Sequence, residues 1–562
     1  MTFDERHFRA QRSLKGPRQG QSRLIPPQSL VRSGLLGEPV AGKPVPSNPL
    51  TSGKFLVDYP WLFGKIISKV GCVRDDELRR ILTHSNPWWR AAAAGTNPAA
   101  WTAGHRLLRE RLKHDLGYRA DVLDDIATEP VEDSLVVLAG PRRVGKSVVL
   151  VDTAAVLCAR DDVDPRQVIH VPCDGMKDRD LRRVLTLARD QTRSIDLDRP
   201  RPRVWLFDEI SGVKGWTAVL KSARDGTSFG DDTVVATGSR WVKNEDVAAN
   251  LFAGRAGTGS ARRLRQLPPM SFRDYLSASG RQLALLPVTH PADLQSAAVD
   301  AALTAVAFDV DAYDLAWQEY LTCGGYPRAV AEHLRTGAVT DAYLKDLEAW
   351  LRSDVDPDAP PESVPRLLVE LSRRATSPLN ATTTARDLGY ASRANFDLRL
   401  SRLRNSFATL TCPHRSDSGV AVVGSQSKVY LTDPLLAWLP GRLHSGLPTP
   451  DMTRLAEMSL GVAQAHAIDQ LEEGRWLAGE TIGYALTGSG NEVDLAPVEV
   501  PVNGGVVRTV PVESKWVDDG WRGEARVIEG KYGRGILATK SVLRTEGAVW
   551  AVPAPLVALL LR

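Results

Sequence analysis

The chain has 562 residues, of which 43% are hydrophobic and 25% charged, with a formal net charge of +4. That length exceeds what one hydrophobic core organises, so about three or four domains are expected, and so small a net charge singles out no partner. Five scattered cysteines (Cys72, Cys158, Cys173, Cys323 and Cys412) form no CxxC pair, which excludes a zinc knuckle or disulfide framework, and no apolar run is long enough for a bilayer span; a cytoplasmic protein outside the membrane is expected.

Residues 1–50 are rich in Pro, Gly, Ser and Arg and lack apolar periodicity, so they read as a flexible tail. Arg6, Arg9, Arg12, Lys15, Arg18, Arg23 and Arg32 outweigh Asp4 and Glu5 there; a solvated tail is the simpler reading and contact with phosphate backbones the alternative. Residues 51–130 read as helical, with Trp61, Trp88, Trp89 and Trp101 available for packing rather than chemistry.

At Leu135–Leu138 an apolar run of strand character leads into Gly140-Pro141-Arg142-Arg143-Val144-Gly145-Lys146-Ser147, and Val148 opens an apolar, helical stretch. This is the GxxxxGKS spacing between a strand and a helix, the context that gives the motif meaning. The two glycines let the backbone turn its N–H groups toward a phosphate, and the helix N-terminus adds positive potential. Lys146 is expected to reach the outer phosphates of ATP and the Ser147 hydroxyl to join a Mg2+ shell, with Gly140–Val148 as the nucleotide cradle.

Val168–Val171 reads as a second strand, and Val204–Phe207 as a third that delivers Asp208 and Glu209 at its C-terminal end, where α/β sheets bind ligands. Asp208 is the expected Mg2+ ligand and Glu209 the group that orients and polarises the attacking water. A strand at Thr233–Ala236 ends in Thr237-Gly238-Ser239-Arg240; Ser239 is a candidate γ-phosphate sensor, and a simple turn is the alternative.

These motifs, together with Trp216, Phe252-Ala253-Gly254-Arg255, Leu267-Pro268-Pro269-Met270-Ser271-Phe272 and Tyr320-Leu321-Thr322-Cys323-Gly324-Gly325-Tyr326-Pro327, resemble the prokaryotic AAA-type ATPases fused to a DUF4143 C-terminal region. The similarity runs from about Leu135 to the end of the chain. Arg240 and the Pro268-Pro269-Met270 sequence depart from the usual pattern without removing a catalytic group. The resemblance implies an AAA-like core, a helical lid, a winged helix and a nuclease-like domain, and is compatible with a ring or a dimer. It also nominates Arg255 as an arginine finger, a surface or salt-bridged arginine being the alternative.

From Pro361 to Leu439 the pattern fits a winged helix, with helices at Val364–Arg374, Thr382–Leu388 and Ser392–Asn405 and strands near Phe407–Cys412 and Lys428–Leu431. Phe396, Leu400 and Leu403 should face its core, leaving Arg393, Arg399, Arg402 and Arg404 for DNA or for docking within the protein. The last region is similar to the PD-(D/E)xK nuclease fold: a helix at Met452–Leu471 bearing Glu457, strands near Thr481–Leu486, Glu492–Pro497 and Val506–Glu513, a helix at Gly523–Lys531 and a strand at Gly535–Thr539. Asp494 and Glu513 would ligate a divalent metal there, Lys515 would assist the water, and Glu492 and Glu457 would stand close by.

The expected architecture is multidomain α/β: a tail (1–50), a helical N-terminal region (51–130), a P-loop AAA-like parallel-sheet core (131–275), a helical lid (276–360), a winged helix (361–449) and a restriction-endonuclease-like domain (450–562). The expected function is Mg2+-dependent ATP hydrolysis that drives or gates a DNA-contacting winged helix and nuclease-like domain. The alternative is an ATP-dependent switch whose nuclease-like domain is catalytically inactive.

Overall fold

The computed structural model describes residues 73–130, 132–196, 200–226, 229–240, 251 and 263–562, apart from residues 503 and 518. These belong to the unit Pro60–Arg562. The basic tail, Trp61 and Phe252–Arg255 lie outside the described residues.

Five parallel strands, β1 (Leu135–Ala139), β2 (Val168–Pro172), β3 (Val204–Asp208), β4 (Thr233–Gly238) and β5 (Leu264–Gln266), form one sheet in the order β2-β3-β4-β1-β5. β1 is buried along its whole length, and a strand covered on both faces reads as a continuous apolar run rather than an alternation. That is why β1 to β4 were visible in the sequence. β5 was not expected, because a Leu-Arg-Gln strand has too few apolar positions to show.

The exposed edge of β2 is closed by the helical N-terminal region. Asn86 donates its amide to His170 O at 2.8 Å and accepts from the His170 N–H at 2.6 Å, while the indole N–H groups of Trp88 and Trp89 both reach Val168 O at 2.9 Å. Side chains thus satisfy backbone groups that a further strand would have paired. Trp88 and Trp89 therefore do more than fill space.

The region expected to be a helical lid, 276–360, contains Ala297–Ala305, Val310–Cys323, Pro327–Thr336 and Asp341–Val355, and the Phe272–Ala278 helix runs across its start. Two segments singled out in the sequence meet here. Met270 N–H donates to Gly325 O at 2.7 Å, and a Cβ on Gly325 would lie 2.0 Å from Met270 O, so only glycine permits this crossing.

Three helices follow, Ser363–Arg374, Ala381–Asp387 and Arg393–Asn405, and then an antiparallel hairpin of β6 (Thr409–Pro413) and β7 (Ser427–Leu431). Phe396 and Leu403 are buried, with Leu400 packed partly against the same core.

In the last region the helix spans Met452–Leu471 as expected, and short strands β8 (Ala485–Leu486), β9 (Glu492–Val493), β10 (Glu499–Val502) and β11 (Gly505–Arg508) follow. β12 (Val512–Ser514), β13 (Gly535–Thr539) and β14 (Val549–Pro553) form a parallel sheet, with the Trp521–Tyr532 helix between β12 and β13. The single strand expected over 506–513 is two, parted at a segment containing Pro511, which has no N–H to give a ladder. The apolar run at the C-terminus becomes β14 and a buried helix, Ala554–Leu561, with Pro553 and Pro555 at its entry. No helix among the described residues is long and apolar enough to cross a membrane.

Candidate functional site

Because β1 lies between β4 and β5, and β3 next to β4, the C-terminal ends of β1, β3 and β4 open side by side. The Gly140–Ser147 loop leaves β1 there and passes into the Lys146–Cys158 helix. Gly145 has φ 101°, a conformation that glycine adopts without strain, while Arg143 takes φ 68° as a non-glycine residue. Gly140 is needed for a different reason from the bend expected of it: a Cβ there would lie 2.2 Å from Leu267 O, because the chain leaving β5 crosses directly over the loop.

Lys146 is buried, and its ammonium donates to the carbonyls of Gly140 at 2.9 Å and Pro141 at 2.7 Å. Burial lowers its pKa to about 8 against the opposing pull of Glu209 and Asp208. Ser147 Oγ donates to Asp208 Oδ1 at 2.9 Å, and Thr237 Oγ1 donates to the same oxygen at 3.1 Å. A hydroxyl and a carboxylate held together in this way are the hard oxygen donors that Mg2+ takes. Glu209 has φ 54°, and its N–H donates to Thr237 Oγ1 at 3.0 Å. Its Oε1 accepts the Ser239 N–H at 3.2 Å, the Ser239 hydroxyl, and Ser211 Oγ at 3.4 Å. Donors on two strand ends therefore hold this strained acid in place.

Several of these residues went unassigned in the sequence. Thr237 links the two acids. His170, on β2, is buried with its Nε2 4.0 Å from Asp208 Oδ2, and desolvation lowers its pKa. Ser239, the candidate γ-phosphate sensor, directs its N–H and its hydroxyl to Glu209. His170 stands in no motif, and the Thr237-Gly238-Ser239-Arg240 strand end gives Thr237 no role of its own; strand register sets both. Arg255 lies outside the described residues. A separate cavity of about 850 Å3, lined in part by Asp125, Arg265, His290 and Arg562, includes no residue of the cradle.

In the last region Asp494, Glu492 and Glu457 converge on a residue the sequence did not suggest, and Glu513 and Lys515 join them through the backbone N–H of Asp494. The ammonium of Lys428, from β7, is wholly buried and sits 2.6 Å from Glu492, 2.7 Å from Asp494 and 2.9 Å from Glu457. Glu457 also accepts from the Tyr430 hydroxyl at 2.8 Å. The second oxygen of Asp494 accepts the Ser514 N–H at 3.0 Å; Glu513 accepts the Asp494 N–H at 2.9 Å and lies 3.3 Å from Lys515. Every carboxylate oxygen of Asp494 and Glu513 thus has a partner within the protein. Burial, followed by the nearby Asp494 charge, pushes Glu457 up to about 7 and Glu513 up to about 9. Among the described residues no group of three or more His, Cys, Asp or Glu side chains is arranged to hold a metal ion.

The arginines expected on the outer side of the third helix are also engaged. Arg399 pairs with Asp356 and Arg402 donates to Val355 O at 2.9 Å, which favours docking over DNA for these two. Arg393 pairs with Asp397 on its own helix at 3.2 Å, and Arg404 is exposed.

Residues 132–276 match the family described as AAA domain, and residues 314–442 match a domain of unknown function, DUF8612, where the resemblance implied DUF4143. No curated protein matches the chain in sequence. Among solved structures, the Walker-type ATPase PABY2304 of Pyrococcus abyssi is 14% identical, with a TM-score of 0.33, over 57% of this chain and 93% of that one. The RuvB Holliday junction branch migration motor of Thermotoga maritima is 14% identical, with a TM-score of 0.24, over 56% and 92%. The Aeropyrum pernix ORC1 protein, solved in complex with DNA, is 12% identical, with a TM-score of 0.24, over 66% and 93%. The family match and the parallel five-stranded sheet make residues 132–276 an AAA-type P-loop ATPase domain.

Proposed function

We propose that this protein hydrolyses ATP in the Gly140–Val148 cradle and that the nucleotide state repositions the helices that follow the ATPase domain. The observation that carries the reading is the meeting of Lys146, Ser147, Asp208, Glu209 and Thr237 at the ends of three adjacent parallel strands. Lys146, now on two neutral carbonyls, exchanges them for phosphate oxygens. Ser147 and Asp208 hold Mg2+, which supplies charge neutralisation of the phosphates when bound. Glu209, fixed by Ser239 and Thr237, orients the attacking water and accepts its proton. Mg2+-dependent turnover is the test. Glu209→Gln should retain ATP binding and lose about 10²- to 10⁴-fold in turnover, the range for a positioned general base; unchanged turnover would remove Glu209 from this role.

For the C-terminal domain the observations favour the switch over the nuclease, because Lys428 already holds Asp494, one of the two acids expected to bind a metal, and Lys515 lies 3.3 Å from the other, Glu513. The winged-helix order of three helices and a hairpin would then serve as a docking module. The nuclease reading rests on the convergence of Asp494, Glu513 and Lys515. Duplex DNA cleavage with Mg2+ or Mn2+, abolished by Asp494→Ala, would restore it.

A further inference from the structure

Three arginines of the cradle region face the Asp341–Val355 helix. Arg142 Nε lies 3.2 Å from one oxygen of Asp354, and Arg240 lies 2.7 Å from the other. Arg143 sits 3.4 Å from Asp346 and over the ring of Tyr343. Trp350 Nε1 also donates to Asp354 at 2.7 Å. Burial of Asp354 works to raise its pKa, but the Arg240 hydrogen bond and the charges of Arg142 and Arg240 hold it below the usual carboxylate range. The next two residues face the other way: Val355 O and the Asp356 carboxylate hold Arg402 and Arg399 of the Arg393–Asn405 helix. The run 354–356 therefore grips the phosphate loop on one side and that helix on the other.

We propose that Arg142 and Arg240 bind the γ-phosphate of ATP in cis, that Asp354 is the counter-ion they share without nucleotide, and that phosphate displaces it and loosens the hold of 355–356 on the Arg393–Asn405 helix. The inference rests on the ATP reading above. Two guanidinium groups on one carboxylate leave one positive charge in excess, and a guanidinium pairs with phosphate by the same forked geometry. Arg142 belongs to the cradle loop, and Arg240 follows Ser239, which holds Glu209. Arg240 is also half exposed, so packing does not lock it to its present partner. Asp354 has no such freedom: its side chain is 1% exposed, and losing both arginines would leave a buried carboxylate with Trp350 alone. The helix end carrying it must then shift to relieve the charge. Because Val355 and Asp356 are its covalent neighbours, the shift reaches Arg399 and Arg402.

The test is equilibrium binding of ATP and ADP, each with Mg2+, to the full-length native chain, Arg240→Ala, Asp354→Asn and Lys146→Ala, with hydrogen exchange followed at residues 393–405. Arg240→Ala should weaken ATP about tenfold or more, the worth of a charge-assisted hydrogen bond, and leave ADP within about twofold. Asp354→Asn should tighten ATP and speed exchange at 393–405 without nucleotide. Equal loss of ATP and ADP in Arg240→Ala, no loss of either, or weaker ATP binding by Asp354→Asn would overturn the proposal. Replacing the half-exposed Arg240 leaves the fold standing, so the ATP-to-ADP ratio decides even if Asp354→Asn does not accumulate. Should Lys146→Ala bind ATP as the native chain does, the ATP reading itself fails. Loss of ATP by Lys146→Ala without discrimination by Arg240→Ala defeats this inference alone.

Discussion

Two clusters in this chain combine carboxylates with a buried lysine, and the lysine behaves oppositely in them. In the cradle, Lys146 donates to two backbone carbonyls, while Asp208 and Glu209 are held by hydroxyl and N–H groups. The charges are positioned by neutral partners and stay available to a ligand. In the C-terminal cluster, Lys428 lies directly among Glu457, Glu492 and Asp494. There the cation has its anions already. Burial alone would lower the Lys428 pKa, and the three acids carry it far above the lysine range instead. In the cradle the charges are held by neutral groups that a ligand can replace, whereas in the C-terminal cluster Lys428 and its acids hold one another.

Truncating the two lysines should separate the clusters most sharply. Lys428→Ala leaves the buried Glu457 and Asp494 and the partly buried Glu492 without their shared cation and should cost about 3–5 kcal/mol, the range for breaking a buried pair. Lys146→Ala gives up hydrogen bonds to neutral carbonyls and should cost about 1 kcal/mol. Urea unfolding of both variants compares them, and equal losses would erase the distinction.

Gly140→Ala comes next. Its Cβ would collide with Leu267 O, so either the cradle or the chain leaving β5 must move, at about 1–3 kcal/mol. ATP affinity should fall with stability. A variant that keeps both would show that this crossing does not shape the cradle.

The smallest effect lies outside both clusters. His466, stacked on Trp476, is lowered to about 3 by burial first and then by Arg562. A histidine depressed in the fold contributes stability that is present above pH 6.5 and is lost as pH falls toward 3, because the unfolded chain binds the proton more readily. His466→Phe should therefore flatten the acid limb of the stability profile by about 1 kcal/mol at pH 5.5. The raised carboxyl groups of the Lys428 cluster act in the opposite direction, losing stability as pH rises, so the two contributions can be told apart by sign.

The cradle was legible because its residues are contiguous: strand, glycine loop and helix N-terminus occupy one short stretch, and β3 brings Asp208 and Glu209 as neighbours in sequence. The Met452–Leu471 helix and the Gly535–Thr539 strand were equally legible from local pattern. What escaped depends on register and distance along the chain. Lys428 reaches Asp494 across 66 positions, Asp354 reaches Arg142 across 212, and Asn86 reaches His170 across 84. None of these pairs leaves a periodic trace, because each is fixed by how separate elements pack. The ExK spacing of Glu513 and Lys515 is visible in sequence, but the lysine that holds Asp494 comes from the preceding hairpin.

The most direct test of the account is equilibrium binding of ATP with Mg2+ to the native chain and to Lys146→Ala. If the charge of Lys146 is held ready by neutral carbonyls, the native chain binds at a single site and the variant loses affinity by about a hundredfold, as expected for a charge-assisted contact to phosphate. Equal affinity in the two proteins would contradict it, and with it the reading of Gly140–Val148 as the nucleotide cradle.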